Sequence, residues 1–218
     1  MIKVIYNGSD SKKLEKEAIK AFDFVSKIFL IKLPKITVRI YASRAEFNKY
    51  LGRETPDWHV ANASDNNEID ILSPSAMSKE SNHKADEFLP ILKHEFTHIF
   101  IYNTSKGKSV PKWLNEGFAN YIARQNQVLN RSIYIADNFI KQIDTPKNWD
   151  ENVNYDAYNI AALFFRFLVN KYSMAKIIKL LQSIDKHYYY PNFEKTFHEV
   201  YGVNLSEVEK EFIKNIND

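Results

Sequence analysis

Cysteine is absent from this chain of 218 residues, and its absence excludes two kinds of structure. Without thiols there are no disulfide bonds and no thiolate metal ligands. Any metal ion must therefore be held by histidine nitrogen and carboxylate oxygen. The lack of cysteine does not identify a compartment, because many exported chains also lack it.

Long apolar runs are missing as well. No window approaches the roughly eighteen apolar residues of a membrane-spanning helix, and the N-terminal stretch MIKVIYNGSD has no apolar segment typical of an export signal. We therefore expect no membrane span. From the chain as given we expect a cytoplasmic protein, with a secreted or cell-surface location as the alternative if a signal has been removed.

The chain also lacks a strong excess of positive or negative charge. The chain has 30 basic and 27 acidic residues and a net charge of +3, without a concentrated basic stripe. This balance argues against nucleic acid as a partner. An apolar content of 44% is sufficient for a normal core, so we expect a single domain over residues 1–218. No feature indicates an oligomeric state.

Hydrophobic periodicity divides the chain into an N-terminal part, 1–80, and a helical part, 81–218. The first part is predicted to contain strands at 2–6 and 36–43, a helix at 10–31, a short helix ending at Gly52 and a β-hairpin at 58–73. The second part is predicted to be helical at about 86–102, 113–125, 130–143, 155–172, 173–185, 191–200 and 204–216. Strands with two helices followed by helices alone predict an α+β fold.

The segment KHEFTHIF, residues 93–100, places His94 and His98 four residues apart within a predicted helix. Residues at this spacing lie on one helical face, about 5–6 Å apart at Cβ, so both imidazoles can bind one ion. Glu95 follows the first histidine and is placed to take a proton from a metal-activated water. The pattern is short, and the alternative is two histidines that bind no metal.

A second segment, WLNEGFANY at residues 113–121, raises the significance of the first. A helical hairpin can bring Glu116 to the two histidines. His94, His98 and Glu116 would then give a metal ion three protein ligands and leave one position open, as in catalytic zinc sites. We therefore expect one Zn²⁺ ion, although the sequence does not exclude another metal.

HEFTH together with WLNEGFANY resembles the gluzincin clan of zinc metallopeptidases, in particular the peptidase MA-like domains related to M1 aminopeptidases. Softer similarity through YNIAALFFRFLVNKY, residues 158–172, and FEKTFHEVYGVNLSEVEKEFIKNI, residues 193–216, extends the resemblance over roughly 86–217. It implies a thermolysin-like zincin fold, with a small N-terminal mixed β-sheet and helices before a helical C-terminal half. It also implies Glu116 as third ligand and Glu95 as general base. The gap between His98 and Glu116 is one residue shorter than in M1 aminopeptidases.

The resemblance further suggests which residues assist the chemistry. Tyr158 lies at the start of the segment that carries the oxyanion-stabilising tyrosine in M1-like proteins, and Tyr155, nearly one turn earlier, is the competing candidate. Asn115 and Asn120 flank Glu116 as possible hydrogen-bond partners of the ligands, with a role as helix-surface amides about equally plausible.

The expected substrate is a peptide or protein. The hairpin at 58–73 would offer an edge strand for pairing with an extended peptide. The M1 loop GxMEN, which grips a free amino terminus, has no counterpart in HVANASDNNEIDIL, so an endopeptidase or narrow processing enzyme is favoured over an aminopeptidase. His59 is expected to be an exposed strand residue, and His198 a surface or packing residue beside Glu199.

Three functions fit the sequence to different degrees. The leading one is a zinc-dependent peptidase. The second is a catalytically silent relative that binds a protein partner, which the intact Glu95 disfavours because a structural metal site needs no free carboxylate beside the ion. The third is a metal-independent helical interaction module, which leaves the group of His94, His98 and Glu116 unexplained.

Overall fold

The computed structural model of the protein describes residues 2–6, 8, 10–126, 135, 137–152 and 156–217. Residue contacts divide the chain into two compact units, Met1–Phe100 and Ile101–Asp218. A single domain over residues 1–218, with parts 1–80 and 81–218, stays a prediction.

The first unit contains a four-stranded mixed sheet. From the first to the last strand of this sheet, the elements in chain order are β1 (Ile2–Ile5), α1 (Ser11–Phe29), β2 (Ile36–Tyr41), α2 (Arg44–Leu51), β3 (Ala61–Ser64) and β4 (Glu68–Leu72). The strand order is β1-β2-β4-β3, with parallel pairs β1/β2 and β2/β4 and an antiparallel pair β3/β4. The register aligns Val4 with Val38 and Val38 with Ile69. The predicted small mixed sheet is confirmed.

Alternation of apolar and polar residues decides which face of the sheet is buried. On β2, Ile36, Val38 and Ile40 are buried while the residues between them are partly exposed. Helix α1 buries an apolar stripe at helical spacing, formed by Leu14, Ala18, Ala21, Val25 and Phe29. Between these two strands, Tyr41 of β2 donates a hydrogen bond to the buried carboxylate of Asp70 on β4 at 2.7 Å.

The β-hairpin predicted at 58–73 is present, but its first strand begins later than predicted. Strand β3 begins at Ala61, and Trp58 and His59 lie in the preceding loop. This loop is held by the Arg44 guanidinium, which donates hydrogen bonds to the side chain of Thr55 and to the carbonyls of Pro56, Asp57 and His59. These contacts lie outside the strand ladder, which begins at Ala61, so the prediction of His59 as a strand residue is wrong.

The rest of the described chain is mostly helical, as predicted. The helices are α3 (Pro74–Glu80), α4 (Phe88–Thr104), α5 (Lys112–Ala123), α6 (Phe139–Gln142), α7 (Pro146–Asn152), α8 (Ala157–Tyr172), α9 (Met174–Ser183), α10 (Tyr190–Tyr201) and α11 (Leu205–Asn217), with a 3₁₀ turn at Ala85–Glu87. Among the described residues, no helix combines the length and apolar character needed to cross a lipid bilayer. The α+β fold class is confirmed, and the thermolysin-like arrangement stays a prediction.

Two helices and one boundary differ from the sequence prediction. Helices α3 and α7 were not predicted, and each follows a hydroxyl residue and begins with a proline. Ser73 accepts a hydrogen bond from the Ala76 amide, and Thr145 accepts one from the Asn148 amide. The predicted helix at 130–143 is represented by α6 alone, since residues 127–134 and 136 lie outside the described residues.

Helices α5 and α8 pack closely in the second unit because Gly117 has no side chain. A Cβ atom at this position would lie 2.5 Å from the Ala161 carbonyl oxygen and 3.2 Å from the Cβ of Phe165. Phe118 of α5 stacks on Phe165 of α8 with ring centroids 4.4 Å apart. The contact therefore joins two helix backbones directly, next to the residue expected to bind metal.

We predict that Gly117→Ala lowers the free energy of unfolding by about 2–3 kcal/mol, because the new methyl group must push apart two backbones. Gly52→Ala is the control. Gly52 has a φ of +69°, but no atom lies within 4 Å of the position that a methyl group would take there, so only the conformational cost of about 1 kcal/mol is expected. Urea denaturation of both variants measures the difference, and equal losses would contradict the close approach.

Candidate metal centre and active site

Helix α4 presents His94, Glu95 and His98 on a frame of buried apolar residues. Its first turn includes Pro90, where a helix needs no backbone N–H donor. Phe96 and Phe100 are fully buried, and the Phe22 ring of α1 packs against them with centroid distances of 5.7 and 5.8 Å. This packing fixes the rotation of α4 about its axis, so its histidine face is also fixed.

The two histidines lie side by side on that face. Their ring centroids are 4.7 Å apart and their planes are inclined by 80°, as the four-residue spacing predicts. Both are partly exposed, whereas Glu95 between them in sequence is only 9% exposed. A buried carboxylate next to candidate metal ligands is typical of groups that transfer protons, which makes Glu95 a candidate for that role.

The structure brings Glu116 to both histidines. One ligand atom from each of His94, His98 and Glu116 lies within 4.8 Å of the other two. Ligands of a tetrahedral zinc ion at about 2.0–2.1 Å are about 3.3–3.5 Å apart, so modest side-chain rotations would seat one ion. In the part of the chain that the structure describes, this is the one group of three potential ligand side chains. The assignment of the three as metal ligands stays a prediction.

The start of helix α5, which carries Glu116, is tied to the segment before α7. The Lys112 amide donates a hydrogen bond to the Asp144 carbonyl at 2.6 Å, and the Trp113 amide donates one to the Ile143 carbonyl at 3.1 Å. These bonds satisfy amides that a helix leaves unpaired in its first turn. Trp113 is fully buried against Phe164, so the first turn of α5 is also anchored by packing.

Asp144 is itself held by side chains. Its buried carboxylate accepts hydrogen bonds from the Tyr188 hydroxyl at 2.7 Å and from the side-chain amide of Asn148 at 2.9 Å. Because the backbone of the same residue accepts the Lys112 amide, Tyr188 is connected to the helix of Glu116 through one residue. Burial and the bond to Asp144 raise the pKa of Tyr188 well above its ordinary value, which keeps its hydroxyl a donor.

Glu116 is 5% exposed and has a cation beside it. Lys112, one turn earlier on α5, places its Nζ 2.7 Å from Oε1 of Glu116. Burial acts to lower the pKa of Lys112, but the charge and hydrogen bond of Glu116 outweigh it, so the pKa is raised and the ammonium stays charged. We did not predict this residue from sequence, although the spacing of Lys112 and Glu116 is that of a helical ion pair.

The two asparagines near Glu116 differ in burial. Asn120 is fully buried and donates a hydrogen bond to the main-chain oxygen of Glu116 at 2.8 Å, while its own oxygen accepts one from Asn126. Asn115 is partly exposed. Asn120 therefore supports the backbone of α5 at Glu116, and the proposed role of either amide toward a metal ligand stays a prediction.

Tyr158 lies in the first turn of α8 and is partly exposed. Its ring packs edge-on against Trp149 of α7 with centroids 4.8 Å apart. Its phenol is one of the groups that raise the pKa of Lys112. The competing candidate, Tyr155, lies outside the described residues. The choice between the two tyrosines stays a prediction.

The four remaining histidines have other surroundings. His59 is half-buried beside Trp58 and Phe47, and burial together with the charges of Arg53 and Arg44 lowers its pKa. The Nδ1 of His83 lies 2.5 Å from Oε2 of Glu87, and the Nδ1 of His187 lies 3.3 Å from the Ser109 hydroxyl oxygen. His198 is exposed on α10. Within the described residues none of them forms a potential metal group.

A known peptidase family matches most of the chain. Residues 57–212 match the family described as "Peptidase of plants and bacteria" (BSP), and the match includes both helices that carry the candidate ligands. The chain belongs to this peptidase family. No curated protein and no solved structure matches it significantly. The family supports hydrolysis of peptide bonds and a peptide substrate, while the relationship to gluzincins and M1 aminopeptidases stays a prediction.

We predict that Tyr188→Phe lowers the free energy of unfolding by about 1.5–3 kcal/mol, because it removes a hydrogen bond to a buried carboxylate. Tyr189→Phe is the matched control, since the neighbouring ring is 63% exposed. Urea denaturation measures the loss, and hydrogen exchange at the amides of Lys112 and Trp113 tests its transmission to α5. Unchanged exchange at these amides would contradict the connection through Asp144.

Proposed function

We propose that the protein is a zinc-dependent peptidase in which His94, His98 and Glu116 hold the ion and Glu95 is the general base. The observation that carries the proposal is the meeting of two imidazoles from α4 and one carboxylate from α5 within 4.8 Å. Membership of a peptidase family supports the hydrolysis of peptide bonds.

The donor set fits zinc by its chemistry. Two neutral nitrogens and one carboxylate oxygen are ligands that zinc accepts in catalytic sites, where a fourth position stays available. When bound there, zinc supplies a Lewis acid for the substrate carbonyl and lowers the pKa of water to about 7. The ammonium of Lys112 does not oppose this assignment, because the carboxylate of Glu116 has a second oxygen.

Glu95 moves the proton in this proposal. Its carboxylate accepts a proton from the attacking water and returns it to the nitrogen of the leaving amine, so that the amine departs neutral. Its near-complete burial restricts competition from bulk water. Glu95 directly follows His94 on α4, which turns its carboxylate to the side of the histidine face, where it is not a third ligand from the same helix.

Tyr158 is the proposed donor to the oxyanion. Its ring is held against Trp149 at the start of α8. One donor of this kind contributes a few kcal/mol to lowering the barrier of amide hydrolysis. Tyr155 remains the alternative donor.

An extended peptide is the proposed substrate. Strand β3 is at one edge of the sheet and can pair with an extended backbone. The absence of the GxMEN sequence favours cleavage within a chain, or narrow processing, over removal of an N-terminal residue.

We predict that Glu95→Gln binds zinc with unchanged affinity and loses about 10²–10⁴-fold in kcat, because only proton transfer is removed. Hydrolysis of a quenched fluorescent peptide mixture and competition with a zinc chelator measure the two quantities. Glu199→Gln is the control, since Glu199 also follows a histidine on a helix but is exposed. Equal turnover of Glu95→Gln and wild type would refute the role of Glu95. Zinc binding without hydrolysis by the wild type would favour the silent binding domain.

We predict that Glu116→Ala weakens zinc binding by at least about 100-fold, because a direct ligand contributes no less than the residues that orient ligands. Chelator competition measures the zinc dissociation constant, with Glu199→Ala as control. Circular dichroism of the metal-depleted variant checks that the fold is retained. Unaltered zinc affinity in a folded Glu116→Ala protein would move the third ligand to another residue.

A further inference from the structure

Glu116 uses only part of its carboxylate in its contact with Lys112. The ammonium lies 2.7 Å from Oε1, and the side chain of Glu116 is 6% exposed, against 29% for that of Lys112. A carboxylate offers two oxygens, each with lone pairs, so one oxygen can accept from an ammonium while the other binds a different cation. The contact with Lys112 therefore engages Oε1 and is compatible with metal binding through Oε2.

Lys112 is restrained along its length. Its amide is bonded to the Asp144 carbonyl at 2.6 Å, which places its Cα in the first turn of α5. Its Nζ lies 5.8 Å from the centroid of the Trp149 ring. The backbone of Lys112 is fixed, and its ammonium lies near an aromatic ring. The side chain therefore loses little further conformational entropy when it binds the carboxylate.

The number of oxygens that Glu116 contributes matters for the reaction. With one oxygen from Glu116, His94 and His98 complete a set of three ligands and leave the position that a hydrolytic site requires. With both oxygens of Glu116 and the water still bound, the ion would be five-coordinate, and no position would remain for the substrate carbonyl. Aspartate and glutamate bind ions in both ways, so something in the protein must select one of them.

We propose that Lys112 is a positioning residue that holds Oε1 of Glu116 and so limits this carboxylate to one oxygen at the metal. The inference rests on the proposed zinc site and adds to it the residue that keeps a coordination position open. In this role Lys112 acts on the metal through its contact with Glu116.

Metal affinity by itself is a weak test of this role. Removing the ammonium relieves its repulsion toward a divalent cation, but it also removes the hydrogen bond that orients the ligand. These two effects have opposite signs. We therefore expect the affinity of Lys112→Met for metal to stay within about tenfold of the wild type, and the coordination number is the property to measure.

The test is the visible absorption of the full-length protein loaded with Co²⁺, because four-coordinate Co²⁺ absorbs more strongly than five-coordinate Co²⁺. We expect an intense spectrum for the wild type, and a weaker, shifted one for Lys112→Met as Glu116 binds through both oxygens. Lys112→Arg and Lys112→Gln retain a donor for Oε1 and are expected to restore the wild-type spectrum. In peptide hydrolysis, Lys112→Met should lower kcat and leave KM nearly unchanged.

Lys195→Met is the matched control, because Lys195 and Glu199 have the same spacing on α10 but both are exposed. Its spectrum should equal that of the wild type. If Lys112→Met misfolds because the charge of Glu116 is no longer offset, Lys112→Gln and Lys112→Ala replace it, and Lys112→Ala should show the weaker spectrum.

The outcomes separate the two proposals. Identical Co²⁺ spectra for the wild type and for folded Lys112→Met or Lys112→Ala overturn the role of Lys112 and leave the zinc site intact. Identical spectra for the wild type and Glu116→Ala overturn Glu116 as a ligand. A wild-type protein that binds no Co²⁺ overturns the metal site and this inference together.

Discussion

The burial of the Glu116 carboxylate is the constraint on which the organisation of the second unit depends. A carboxylate withdrawn from water costs several kcal/mol unless a partner offsets its charge. Lys112 supplies that charge from one turn away, and it can do so only if the first turn of α5 is well formed. The amides of that turn are in turn bonded to Ile143 and Asp144, and Asp144 is held by Tyr188 and Asn148. One buried charge thus accounts for a chain of otherwise unrelated polar contacts.

Close packing acts together with this network. Gly117 directly follows Glu116, and its missing side chain lets the backbone of α5 approach the Ala161 carbonyl of α8. The buried rings of Trp113 and Phe118 contact Phe164 and Phe165 on the same helix. Helix α5 is therefore located by backbone contact on one side and by hydrogen bonds at its start. A ligand carried by such a helix has little freedom to shift, which suits a site whose geometry must be formed before substrate binds.

The sequence predicted those parts of the protein whose pattern is local. Periodicity identified α1, α4, α5 and the helices from α8 onward, and the spacing of His94 and His98 placed both on one face. Helices α3 and α7 were missed because they are too short for periodicity; their signal was the Ser73-Pro74 and Thr145-Pro146 pairs. The loop before β3 could not be predicted, since it depends on Arg44 contacting residues that are 11–15 positions away. The spacing of Lys112 and Glu116 was visible, but its meaning required the distance between Nζ and Oε1.

The short edge strand has a consequence for recognition. Successive residues of a strand direct their main-chain groups to opposite sides, so about half of those in β3 already serve the pairing with β4. A four-residue strand is about 13 Å long and leaves roughly two residues able to bond outward. A polypeptide aligned along β3 would form main-chain hydrogen bonds at very few positions. Sequence preference would then have to come from the side chains around those positions.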